Sequence, residues 1–195
     1  GAGIEPVETD LGEYIIQLAG ETPFHIIAPA MHKTRQEVSD LFQDWLKTAP
    51  TDDIKRLCVI ARDALREKFE AADMGISGAN FVVAETGTVV LVTNEGNGRM
   101  TTSVPRVHVA ISGMEKILPA MEDLALFLRL LPRSATGQRI TSYNTFVGGP
   151  RAASDEDGPE EFHLILVDNG RLNLLKDEVL REALNCIRCG ACLNH

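Results

Sequence analysis

"ANFVVAETGTVVLVTNEGNG", residues 79–98, is where the chain changes character. Residues 81–84 and 88–93 are two valine-rich runs of the kind that packs well on a pleated surface. Only Glu85, Thr86 and Gly87 separate them from one long run. A short polar gap with a glycine free to take a positive φ predicts a hairpin. "NEGNG" then predicts a loop.

On the N-terminal side of this stretch the apolar spacing is helical. "MHKTRQEVSDLFQDWLK" (31–47) places Val38, Leu41, Phe42 and Trp45 at i, i+3, i+4 and i+7. "TDDIKRLCVIARDALREKFEAADMG" (51–75) repeats the pattern through Ile54, Leu57, Cys58, Ala61, Leu65 and Phe69. Thr51 is the expected N-cap, Asp52 and Asp53 suit the first turn, and Gly75 stands where a helix stop is expected. Cys58, between Leu57 and Val59, reads as a small buried apolar residue.

On the C-terminal side strands and helices alternate. "RVHVAI" (106–111) is a third strand. "MEKILPAMEDLALFLRLL" (114–131) is helical, with Pro119 starting or kinking the helix. "RITSYNTFVGGP" (139–150) is a strand ending in a glycine turn, and the charged "RAASDEDGPEE" (151–161) is a surface loop. "EFHLILV" (161–167) is apolar almost throughout, as a buried strand should be. "DNGR" is a turn, and "KDEVLREALNCIRCG" (176–190) is a closing helix. Helices first, then alternating elements, predict an α/β domain with a mostly parallel sheet, interrupted by the hairpin.

The balance of 19 Lys+Arg against 28 Asp+Glu gives a net charge of −9. That sign excludes a nucleic-acid face and an anionic membrane surface as natural partners. No apolar run approaches the roughly 20 residues that span a bilayer. The first residues carry no basic segment followed by an apolar one, so no secretory signal is read. Gly1, Ala2 and Gly3 read as a cloning remnant. The chain is large enough not to need disulfides, so its thiols suit a reducing cytoplasm.

Three of the four cysteines crowd the end of the chain in "NCIRCGACLNH" (185–195). Cys186, Cys189 and Cys192 form C-x2-C-x2-C, the opening of the ferredoxin run C-x2-C-x2-C-x3-C-P. Leu193, Asn194 and His195 fill the x3 gap, so the spacing predicts a fourth cysteine at the next position. Zinc sites ordinarily use two separated cysteine pairs, which this chain lacks. The expectation is a [4Fe–4S] module in the intact protein, with a second cysteine run beyond residue 195. This piece, with three of the four thiolates, is expected to hold no cluster. On this reading residues 181–195 begin the cluster module and residues 1–180 form the preceding domain.

Polar loops mark a second candidate region. Glu85 ends a strand beside Thr86 and Gly87, where backbone amides suit an anion and the carboxylate suits acid, base or nucleophile chemistry. Asn94 lies in the following loop and Gly137 in "RSATGQRITSY". Asp168, Asn169, Gly170 and Arg171 follow a strand, the place where open α/β sheets bind ligands. Arg171 has the planar fork that grips a carboxylate or phosphate. Each feature is also consistent with a solvated turn. No histidine pattern completes a metal site, and no serine–histidine–aspartate order stands out.

The stretches "VETDLGEYIIQLAGETPFHIIAPAMHKTR", "GISGANFVVAETGTVVLVTNEGN", "PRVHVAI", "RSATGQRITSY" and "LVDNGR", followed by "CIRCGAC", resemble the lactate-utilization domain (LUD) family, in particular its iron–sulfur-bearing members. The resemblance implies a three-layer α/β fold similar to the sugar-phosphate isomerase and CoA-transferase superfamily. It implies a cytoplasmic iron–sulfur electron-transfer subunit of a multi-protein system oxidising L-lactate to pyruvate. It also implies two partners, a cysteine-rich protein and a second LUD protein, and a longer parent chain with a further N-terminal segment and a two-cluster module. A small organic acid is a further expected partner. The alternative is a transferase- or isomerase-like enzyme, or an anion-binding domain, using Glu85.

Overall fold

The computed structural model describes residues 3–194, with Asn194 described in its backbone alone. The terminal-remnant reading of Gly1 and Ala2, and the position of His195, lie outside the described residues. The chain divides into two compact units, one up to Ala71 and one from Ala72 onward.

The first unit holds α1 (Leu11–Ala19), α2 (Arg35–Leu46) and α3 (Ile54–Ala71). Asp10 caps α1 by accepting the Gly12 N–H at 2.9 Å. Thr34 and Glu37 exchange side-chain-to-backbone hydrogen bonds in a capping box that starts α2. The core joins Tyr14, Ile15, Val38, Phe42, Leu57, Ile60, Ala61 and Leu65. Cys58 is exposed rather than buried. A helix turns about 100° per residue, and the stripe through Leu57, Ala61 and Leu65 leaves Cys58 beside it. Trp45, counted above in the apolar face of α2, is 63% exposed. The cap of α3 is Asp53, which accepts the Lys55 N–H at 3.0 Å, not Thr51.

The second unit holds two sheets. β1 (Met74–Gly78), β4 (Val107–Gly113) and β7 (Glu161–Val167) form a three-stranded parallel sheet with β4 in the middle. β2 (Phe81–Val83), β3 (Thr88–Thr93), β5 (Ile117–Leu118) and β6 (Tyr143–Val147) form a second sheet in the order β5-β2-β3-β6. The expected hairpin is β2–β3, antiparallel with Phe81 opposite Val90. Three of the five strand pairings are parallel, as expected for this α/β class.

The pleat explains why residues 79–98 are apolar on both faces. Phe81, Val83 and Val90 point to one side of the sheet and pack against Leu124 and Leu131 of α5 (Met121–Thr136). Val82, Val89 and Leu91 point to the other side, toward Ala110 of β4 and Phe162 and Leu164 of β7. Helix, mixed sheet and parallel sheet are therefore three layers with two apolar seams. A strand buried on both faces cannot alternate polar and apolar residues.

Several boundaries differ from expectation. Residues 114–118 are not α-helical: a 3-10 turn (Met114–Lys116) leads into β5, and Pro119 precedes α5, while Pro132 lies inside it. The end of "NEGNG" already belongs to α4 (Asn97–Ser103). Gly75 is a strand residue packed under α4, not a helix stop. A Cβ there would come within 2.0 Å of the Thr101 carbonyl oxygen. β7 is an edge strand rather than a buried one, with Ile165 47% exposed. The closing helix is instead α6 (Arg171–Lys176) and a separate 3-10 turn (Leu180–Asn185), restarted where Asp177 accepts the Val179 and Leu180 N–H groups.

Candidate metal centre

β4 and β7 are adjacent and parallel, with Gly113 opposite Val167. The residues that follow them therefore emerge side by side. Glu115 and Lys116 follow β4, and Asp168 to Arg171 follow β7. The Glu115 carboxylate accepts the Arg171 Nε–H and faces the Arg188 guanidinium at 3.6 Å. Its side chain is only 5% exposed. Gly113 makes room for it, since a Cβ there would come within 2.1 Å of the carboxylate. Burial alone would raise the Glu115 pKa, but the Arg171 hydrogen bond and the two guanidinium charges hold it below the ordinary carboxylate value.

The next residue reaches the cysteine segment directly. Lys116 is buried, and its Nζ donates to the Ile187 carbonyl at 3.1 Å. Burial pushes its pKa down, while Glu115 and the sulfurs of Cys186 and Cys189 act to raise it. Ile187 and Cys189 also pack against the seam of Phe81, Val83 and Leu118. The backbone of Arg188 and of Gly190 is left-handed, so the segment doubles back between successive cysteines. The C-x2-C-x2-C segment is thus fastened by an ion pair, a lysine hydrogen bond and two apolar contacts.

All three thiols are free: Cys186 and Cys192 are exposed and Cys189 is half-buried. Among the described residues no three His, Cys, Asp or Glu side chains converge on one point. The donor set itself fits an iron–sulfur cluster. Its three soft thiolates are unbridged, correctly spaced and held on a turn, and they supply three of the four ligands a cubane takes.

The remaining expected site residues do not form one pocket. Glu85 accepts the Met121 N–H at 3.0 Å and so caps the start of α5. Asn94 is paired in both directions with Gln138, at 2.9 and 3.1 Å, beyond the end of α5. The 16-residue helix between them spans about 24 Å, so one ligand of organic-acid size does not touch both. Gly137 is the left-handed cap of that helix, at φ 74°. Thr86 and Gly87 complete the hairpin turn, where Thr86 Oγ1 and Thr88 Oγ1 lie 2.7 Å apart and the Gly87 N–H donates to the Val83 carbonyl. Asp168 caps α6 by accepting the Leu172 N–H at 2.8 Å. Asn169 and Gly170 supply the positive-φ turn before that helix. Arg171, expected to grip a ligand, is consumed by Glu115 and by the Asp168 carbonyl at 3.0 Å.

Glu115, Lys116 and Arg188 are the site residues that sequence reasoning missed. The available signal was a charged pair, Glu115-Lys116, embedded between the apolar runs "VHVAISGM" and "ILPAM". A separate cavity of about 380 Å³ lies among Arg99, Thr102, Thr145, Phe146, Gly148 and the loop up to Pro159.

Residues 1–167 match the LUD domain model. This chain belongs to the LUD domain family. Among curated relatives, lactate utilization protein B of Shouchella clausii is 50% identical over 193 residues, which are 98% of this chain and 40% of that protein. An uncharacterized electron transport protein of Escherichia coli, YkgF, is 49% identical over 99% of this chain and 40% of its own length. Lactate utilization protein B of Bacillus subtilis is 49% identical with similar coverage. The chain spans about two fifths of the length of these relatives. A solved DUF162 family protein from Deinococcus radiodurans is 21% identical with a TM-score of 0.40, over 52% of this chain and 57% of that one.

Proposed function

We propose that this LUD domain and its cysteine segment belong to an iron–sulfur electron-transfer subunit of a multi-protein system oxidising L-lactate to pyruvate. In this reading Cys186, Cys189 and Cys192 are ligands of a [4Fe–4S] cluster in the intact protein. The observation that carries it is the free C-x2-C-x2-C segment fixed to the end of the parallel sheet by Glu115, Lys116, Arg171 and Arg188. The lactate-utilization and electron-transport names of relatives near 50% identity support the same reading.

A bound cluster supplies a one-electron donor and acceptor. The chain's own residues do the rest. Ile187 and Cys189 anchor the ligand loop in an apolar seam that excludes water from one side of it. Lys116 fixes the peptide between the first two cysteines, and Glu115 keeps Arg171 and Arg188 in place. For a small organic acid the proposed place is the cavity beside Arg99. Arg99 and Arg151 line it together with Thr102 and Thr145, beside Asp155 and Asp157. The partners proposed are a cysteine-rich protein and a second LUD protein, in the cytoplasm, where thiols stay reduced. No helix among the described residues is long and apolar enough to cross a membrane.

The test is spectroscopic. The full-length protein, reconstituted with iron and sulfide and mixed with both partners, should lose its visible absorption near 400 nm when L-lactate is added anaerobically. A reconstituted complex that dithionite bleaches but L-lactate does not would refute the lactate assignment.

A further inference from the structure

We propose that Lys116 is a positioning residue of the metal centre, whose buried ammonium orients the peptide between the first two cysteines and favours the reduced, more negative cluster. The inference rests on reading Cys186, Cys189 and Cys192 as ligands, and deepens it.

A desolvated ammonium is costly unless it has partners. Lys116 is 9% exposed, and among the described residues its hydrogen bond goes to one backbone carbonyl, that of Ile187 at 3.1 Å. An ammonium has three donors. The neighbouring Glu115 carboxylate is engaged by Arg171 and Arg188, so Lys116 is not the cation it pairs with. Its hydrogen bond goes to the cysteine segment, and Cys186 and Cys189 flank the very residue it holds.

Position decides which cation matters. Arg188 also lies within the segment, but its side chain is 54% exposed, and an exposed charge is screened by water and salt. Arg171 is turned to Glu115 and the Asp168 carbonyl. Lys116 is the buried one, where the effective dielectric is lower and the interaction correspondingly stronger. A cubane with four thiolates is anionic, and reduction adds one further negative charge. A fixed buried cation therefore stabilises the reduced form more than the oxidised form. Net charge and hydrogen bonding near the sulfurs are the levers that set cluster potentials.

The experiment compares full-length wild type, Lys116→Met and Lys116→Arg, each reconstituted with ferrous iron and sulfide, by iron content and by dithionite titration followed with EPR. Methionine keeps the apolar stem and removes the charge, and arginine restores it. The expected result is that Lys116→Met shifts one cluster to a more negative midpoint. At fixed potential its reduced-to-oxidised ratio should fall about tenfold, which for one electron is about 59 mV. Lys116→Arg should return most of that shift. If Lys116→Met loads too little iron to titrate, restored iron in Lys116→Arg supports the proposal, and unrestored iron overturns it. Unchanged iron and unchanged midpoint in Lys116→Met overturn it as well. A Cys189→Ser arm separates the two readings: full iron there removes the ligand assignment itself, whatever Lys116 does.

Discussion

Glu115→Ala should release the cysteine segment without unfolding the domain. The side chain is 5% exposed and holds Arg171, itself 21% exposed, together with Arg188 at 54%. A hydrogen bond to a charged group contributes about 1.5–3 kcal/mol. Stranding a buried partner costs up to about 3–5 kcal/mol. The exposed Arg188 contact adds less than about 1 kcal/mol. Because Arg171 keeps its bond to the Asp168 carbonyl and some solvent, the loss is set at about 2–4 kcal/mol. At 1.4 kcal/mol per factor of ten, local opening of the continuous segment 171–193, which carries both arginines, becomes about 30- to 700-fold more frequent. Hydrogen–deuterium exchange read by mass spectrometry measures this directly. Peptides covering 180–193 and α6 should exchange faster by that factor, while those covering the β2–β3 hairpin stay as in wild type. If the cysteine segment exchanges at the wild-type rate in the variant, the ion pair does not anchor it and the reasoning fails.

Other consequences are independent of that anchor. Burial, followed by a hydrogen bond with Asp10, pushes Glu13 up from 4.5 to about 7. The folded state then keeps its proton longer than the unfolded chain, so stability falls as pH rises from about 4.5 through 7. The full shift corresponds to about 3 kcal/mol, reduced to about 1–2 kcal/mol by solvent around this half-exposed group. Glu13→Gln should flatten the decline in melting temperature between pH 5 and 8, and an unaltered slope would assign that decline elsewhere. Gly75→Ala places a Cβ against the Thr101 carbonyl and should destabilise by about 1–3 kcal/mol, measurable by urea unfolding. Glu85→Gln keeps an acceptor for the Met121 N–H and removes charge at a helix start, so less than about 1 kcal/mol is expected. Iron loading should be unchanged; a large loss of activity in the assembled system would instead favour a catalytic carboxylate.

What could be read from the sequence was set by local physics. Residues 79–98 announce the hairpin because both faces of β2 and β3 are covered, and no other arrangement tolerates so much valine around so short a gap. The helices α2 and α3 follow from spacing alone. The same spacing misplaced Cys58 and Trp45, because a stripe several residues wide does not say where its edge lies. "EFHLILV" looked central because Phe162 and Leu164 face the mixed sheet, yet its other face is open, and composition does not report a missing neighbour. The site was half legible. The cysteines declare themselves by spacing, since three thiols two residues apart have few other uses. Glu115 and Lys116 did not, because their role comes from β4 lying beside β7, whose paired residues stand 54 positions later in the chain (Val107 opposite Glu161). Arg171 illustrates the same limit. Its position after a strand is that of a ligand-binding arginine, and only the fold shows that its partner is internal.

The central claim is that Cys186, Cys189 and Cys192 ligate one cluster in the intact protein. Counting iron and acid-labile sulfide per chain, in full-length wild type and in the Cys186→Ser, Cys189→Ser and Cys192→Ser variants, tests it most directly. The account predicts the loss of about one cluster's iron in each variant, with the fold retained by circular dichroism. Wild-type iron and sulfide in all three variants would contradict it.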